Sequence, residues 1–353
     1  MNTDEITVFR AGRPDAPPYD RMAKARLRAR LLNAPSEPVR SPVRRRRVLI
    51  GGVLAGAVAV AGGIVVSQGG DPAGGGGTVA LREVSTPGDL AHNAALVAAT
   101  EKVRPTRWAY LKTVLAPTQE GGGSPLFGRP AKTKTQEMWR RTDDKQFAFI
   151  DQGRLRIANG PKTLPGGGVP RDYPHLLSLP TQPAALLAQV YKTIDAEYAE
   201  RLAEWSKPIP ENLPKKTREK YAQMKKVKPA PPTPEERNAR AFDILTLYMR
   251  DAVLPQKIQA ALYGAMAKIP GVRYEARAAD LADRAGVTLY RVENGYLRRE
   301  IFVDRKTYAY MGFRVIAVKD HRETGLLPVR RGQIIGWGAL TRGAFVAKPG
   351  DRS

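Results

Sequence analysis

Residues 48–67 read VLIGGVLAGAVAVAGGIVVS, twenty residues without a charge. A run of this length covers the hydrocarbon core of a bilayer as a helix, and a helix can cross because it satisfies its own backbone hydrogen bonds. Arg44, Arg45, Arg46 and Arg47 stand directly before it, and QGGDPAGGGGTVALR follows with one Asp and one Arg. Basic residues stay on the cytoplasmic side of a membrane. The asymmetry predicts a single-pass protein with residues 1–47 in the cytoplasm, the span at 48–67, and the rest outside. A second reading is open. Arg46-Arg47-Val48-Leu49-Ile50 resembles a twin-arginine export signal, although a long segment precedes it and no A-x-A cleavage site follows. Both readings place residues 78–353 outside. A buried core helix fits less well, because four arginines and a glycine linker flank the run. Gly52, Gly56, Ala59 and Gly63 fall on one face of the span. Such a face lets two helix backbones approach and pair, and it also arises from a Gly/Ala-rich composition alone.

Charge is spread along the chain. The 353 residues carry a net +24, of which residues 1–47 hold twelve basic and five acidic side chains. A chain this basic suits nucleic acid, or anionic lipid and cell-wall polymer. The topology favours the bilayer surface and the wall, and removes nucleic acid. Cysteine is absent, which excludes disulfides, thiolate metal sites and cysteine nucleophiles. Asp20 to Asn33 predicts a short basic helix with Ala23, Leu27 and Leu31 at helical spacing. Near an inner leaflet it would face anionic lipid; it would equally serve as a docking helix for a cytoplasmic partner.

Residues 68–77 read as a glycine linker. Beyond it the pattern is helix, strands, helices, strands. Asp89 to Glu101 predicts a helix, and Trp108 to Leu115, Lys134 to Arg141, Gln146 to Asp151 and Arg154 to Ala158 predict a meander. A helix follows Pro183, with Leu187, Val190, Ile194, Tyr198, Leu202 and Trp205 as its stripe. Residues 206–234 hold eight basic residues, two acidic ones and seven prolines, and predict a solvated excursion. Its basic stretch 207–228, with Tyr221, would also suit lipid head groups or wall polymer. Thr233-Pro234-Glu235-Glu236 is a capping-box helix start, and Pro255 opens another helix. Asn294-Gly295, between strands 287–293 and 296–303, is a type I′ hairpin signal. Strands over 308–318 and about 333–340 complete an α+β domain, an antiparallel sheet covered by helices.

No catalytic signature is present. His92, His175 and His321 lack ligand partners at metal spacing. Ser124 lies in GGGSP, a loop and not a strand-to-helix elbow, and no phosphate-binding glycine motif occurs. Glu197, Glu200 and Glu204 share a helical face with Arg201 among them, the pattern of a solvated face. No cofactor is expected. Trp108, Tyr110 and Trp139 fall on two neighbouring predicted strands. They read either as cross-strand sheet stabilisers or as the lining of an apolar groove.

The order of several short motifs resembles an uncharacterised family of actinobacterial single-pass membrane proteins often encoded beside extracytoplasmic-function sigma factors. The motifs are the Asp20–Leu32 arginine/alanine helix, Arg44–Arg47 before a Gly/Ala span, and Leu179-Pro180-Thr181 before a helix. Leu254-Pro255, Ala261-Leu262-Tyr263, Ile269-Pro270-Gly271-Val272, Ile301-Phe302-Val303-Asp304 and Thr307-Tyr308 follow in register. The likeness covers most of the chain, with segment 206–234 as an addition, and it assigns no residue a role. The element order is also similar to the lipoprotein-carrier half-barrel, a fold that binds acyl chains. A non-enzymatic envelope protein that binds or senses a ligand through its outer domain is therefore expected. The alternatives are an anti-sigma factor or sigma-factor regulator acting through residues 1–43, and a cell-envelope hydrolase. The length of 1–43 offers little surface for a stable sigma-factor interface.

Overall fold

The computed structural model describes residues 81–353 apart from 102, 119–123, 161–168, 213 and 323–327. The segment 1–47 with Arg44–Arg47, the span 48–67 with its Gly52, Gly56, Ala59 and Gly63 face, and the linker 68–77 lie outside the described residues. Among the described residues, no helix is long and apolar enough to cross a membrane.

Local chemistry starts the helices. α1 (Pro87–Ala99) is capped by Thr86, whose hydroxyl accepts from the Asp89 N–H at 3.1 Å while the Asp89 carboxylate accepts the Thr86 N–H at 2.9 Å. α2 (Tyr173–Leu177) is capped by Asp172, and α3 (Pro183–Ser206) starts on proline. α4 (Lys215–Met224) lies in the basic excursion. α5 (Pro234–Arg250) begins at the expected capping box, with Glu236 N–H on the Thr233 hydroxyl at 3.2 Å and Thr233 N–H on the Glu236 carboxylate at 2.7 Å. α6 (Gln256–Ala267) follows Pro255.

The strands are β1 (Trp108–Leu115), β2 (Leu126–Phe127), β3 (Lys134–Arg141), β4 (Gln146–Asp151), β5 (Arg154–Asn159), β6 (Arg273–Ala279), β7 (Ala285–Glu293), β8 (Leu297–Val303), β9 (Tyr310–Ala317) and β10 (Gln333–Val346). They form one antiparallel sheet in the order β5-β4-β3-β1-β10-β9-β8-β7-β6, with β2 paired to β10. The sheet is open and does not close into a barrel. The last strand lies beside the first, from Trp108↔Val346 to Leu115↔Gly338, and so joins two meanders. Asn294 and Gly295 both adopt positive φ, 50° and 70°, as the type I′ turn between β7 and β8 requires.

The helices cover one face of the sheet. Leu90, Phe242, Leu245, Leu262, Leu289 and Ile301 are buried between the two layers. Each such side chain contributes about 1.5–3 kcal/mol when taken fully out of water. Two smaller clusters lie elsewhere, one around Phe302, Met311 and Trp337, the other around Trp108, Tyr110 and Trp139.

The excursion is more ordered than its composition suggests. Between Pro214 and Pro229 the chain has no proline and is rich in Lys, Arg, Glu and Gln, which are good helix formers. Its return leg ties to the end of α3, where the Trp205 indole donates to the Lys225 carbonyl at 3.2 Å. Tyr221, Met224 and Val227 remain exposed there.

Candidate ligand-binding groove

Side chains alternate between the faces of a strand, and this alternation builds a groove. β1 and β3 pair with Leu111 opposite Met138 and Thr113 opposite Gln136. These four side chains share one face and line a groove of about 1410 Å³. Phe313 of β9, Leu340 of β10 and Leu247 of α5 complete its apolar walls, with Val169 from the segment before α2. The volume exceeds the roughly 300–1,000 Å³ of ordinary small-molecule pockets.

One end of the groove is polar and most of its charges are paired. Asp144 sits in the β3–β4 turn with φ 56°. Its carboxylate accepts two bonds from Arg140, at 2.5 and 2.7 Å, and a further one from the Tyr173 N–H. Arg140 also donates to the Arg171 carbonyl at 2.7 Å and lies 4.8 Å over the Tyr173 ring. Asp251 accepts from Arg171 at 2.9 Å and from Arg250 at 3.0 Å. Arg250 in turn lies 5.3 Å over Phe313. The network ties the segment before α2 and the end of α5 to the sheet, so the groove's wall is held in place.

Tyr310 is the exception to this pairing. It lines the groove, it is only 7% exposed, and its hydroxyl has no hydrogen-bond partner. No other described lining residue has a buried polar side-chain atom without a partner. Burial pushes its phenol far above the ordinary tyrosine range, so the group stays protonated and able to donate. An unsatisfied buried hydroxyl costs about 1–3 kcal/mol.

The structure brings Trp108, Tyr110 and Trp139 together, but none of them lines this groove. Tyr110 and Trp139 form the cross-strand pair between Leu111–Met138 and Ala109–Arg140, and so point to the other face. Their rings stack at 5.0 Å. The C-terminal segment covers them. The Trp139 indole donates to the Asp351 carbonyl at 2.5 Å, and Arg352 lies 5.6 Å over its ring.

Arg352 closes that cover by two bonds to Glu137, at 3.1 and 2.9 Å, and Tyr110 donates to the same carboxylate at 2.5 Å. The Arg352 bond, then the Tyr110 bond, holds Glu137 down at about 2 against an ordinary 4.5. A depressed carboxylate stabilises the fold above its unfolded value and loses that contribution as the pH falls through its folded value. Stability of the wild-type chain is therefore expected to drop between pH 4.5 and about 2 by an amount that Glu137→Gln lacks. Urea midpoints of both proteins across that range check this. Parallel pH dependences would contradict the latch.

The histidines remain apart. His175 packs against Tyr248 at 6.0 Å, and His321 stacks on Tyr296 at 3.7 Å. Among the described residues, no group of three His, Asp or Glu could hold a metal ion. Of the Glu197, Glu200 and Glu204 face, Glu197 pairs with Arg240 at 2.7 Å and Glu204 with Lys207 at 2.5 Å. No protein-family model matches the chain, and no curated protein or solved structure matches it.

Proposed function

We propose that this chain is a non-enzymatic, membrane-anchored envelope protein whose outer domain binds an apolar-chain ligand in the groove under α5. The observation that carries the reading is the groove's division of labour. Its walls combine apolar side chains with charges that are mostly paired to one another, and one buried donor, the Tyr310 hydroxyl, has no partner. Binding sites for small molecules combine mostly apolar walls with a few placed polar groups. The ligand class that fits is an acyl or prenyl chain with one carbonyl, ester or hydroxyl oxygen to accept from Tyr310. An open antiparallel sheet with helices on one face supports a half-barrel similar to the lipoprotein carriers. That likeness concerns architecture alone.

The test is a photoactivatable fatty acid crosslinked to the full-length protein, followed by peptide mapping. Labelling is expected in the peptides containing Leu111, Met138 and Phe313. It should disappear in Met138→Arg, which puts a charge into the groove. In Tyr310→Phe, half-maximal labelling should need about five- to tenfold more probe, the worth of one hydrogen bond. Labelling confined to other peptides, or unchanged in Met138→Arg, would remove the groove as the site.

A further inference from the structure

We propose a second site, on the sheet face opposite the groove, that binds a phosphate-type oxyanion at the Trp337 indole. Trp337 is only 4% exposed and its Nε1–H has no hydrogen-bond partner. Indole nitrogen is a donor only, so whatever satisfies it must be an acceptor. Trp337 borders a pocket of about 330 Å³. The charged side chains of that pocket are Arg129, Arg277, Arg298 and Arg314 against Glu275 and Glu300.

The four arginines are unequally engaged. Arg298 is held by Glu300 at 2.7 Å and Glu275 at 2.5 Å, and Arg314 binds Glu300. Arg314 and Arg129 lie 5.2 and 5.6 Å over the Trp337 ring. Arg129 reaches Asp283, whose side chain is 75% exposed, so that pair is screened by solvent. Arg277 lies at the bulge in β6 between Glu275 and Ala278, and it has no ion pair or hydrogen bond among the described residues. With Asp283 counted against Arg129, the pocket has one positive charge in excess, the free Arg277 guanidinium, and one buried donor without an acceptor. Arginine forks match phosphate oxygens in geometry as well as charge. The pocket suits a free phosphate ion or the phosphomonoester headgroup of a lipid. This site stands independently of the groove.

The indole region of a proton–nitrogen spectrum of the full-length protein should contain four signals, one per tryptophan. The Trp337 signal is the one missing from Trp337→Phe. Inorganic phosphate and a short-chain phosphatidic acid below its micelle concentration are titrated in turn, with chloride at equal ionic strength as the control. Saturable movement of the Trp337 signal is expected, and Arg277→Gln should weaken the titration about tenfold. Equal action of both probes identifies a free-anion site, and action of phosphatidic acid alone identifies a headgroup site. Calorimetric titration of wild type against Arg277→Gln gives the same comparison without Trp337→Phe, should that variant fail to fold. The proposal is overturned if neither probe moves the Trp337 signal, if chloride moves it equally, or if Arg277→Gln titrates as wild type.

Discussion

Replacing Glu300 by alanine is expected to cost the fold about 3–5 kcal/mol. Glu300 is fully buried, and its two carboxylate oxygens hold Arg298 and Arg314 from opposite sides. Removing the carboxylate leaves Arg314 with its charge unpaired beside Trp337 and Phe302, and leaves Arg298 with Glu275 alone. The arginine side chains are 21% and 27% exposed, so water relieves part of the loss and the lower end of the range is favoured. Glu300→Gln keeps the shape and one acceptor, and should lose less. Urea unfolding of the full-length chain measures both, since the free energy falls linearly with denaturant. A loss below about 1 kcal/mol for the alanine variant would mean that the cluster behaves as surface ion pairs do.

Trp139→Ala is the second large effect, at about 3–5 kcal/mol. The side chain is fully buried, stacks on Tyr110 and is roofed by the C-terminal segment. The same substitution separates the two roles that three aromatics on neighbouring strands can play. If Trp139 stabilises the sheet, the variant unfolds at lower urea while the surviving folded protein labels with the fatty acid as wild type does. That is the expected outcome, because Met138 and Arg140 point away from Trp139 to the groove face. Loss of labelling with unchanged stability would place the ligand on the aromatic side instead.

The sequence made the local parts of this fold legible. The capping box at Thr233 and the turn at Asn294-Gly295 are short-range chemistry, and both appear where they are expected. β1 is legible from its β-forming run Trp108-Ala109-Tyr110-Leu111 with Val114 and Leu115, and β3 from Met138 and Trp139 in a stretch free of Gly and Pro. β6 escaped although Arg273-Tyr274-Glu275-Ala276-Arg277-Ala278 alternates, because most of its apolar positions are alanine, a weak strand former. It is an edge strand and buries little. β10 runs past the expected end at 340 to Val346, because β1 supplies backbone partners along that whole length. The helix within the excursion was hidden by its prolines, which cluster at the two ends.

The candidate sites were less legible than the fold. Leu111 and Met138 fall on one strand face and Tyr110 and Trp139 on the other by alternation alone. Which face opens onto a groove depends on β10 and α5, far along the chain. Tyr310 and Trp337 stand out only through a partner that is missing, and no spacing rule records a missing neighbour.

A chain held in the groove should travel with the protein through purification. The direct measurement is solvent extraction and lipid mass spectrometry of full-length protein purified from its host, beside Met138→Arg purified identically. About one equivalent of a chain-bearing lipid is expected with wild type and absent from Met138→Arg, while lipid carried by a membrane span would be common to both. Identical lipid content in the two proteins would mean that the groove holds no chain.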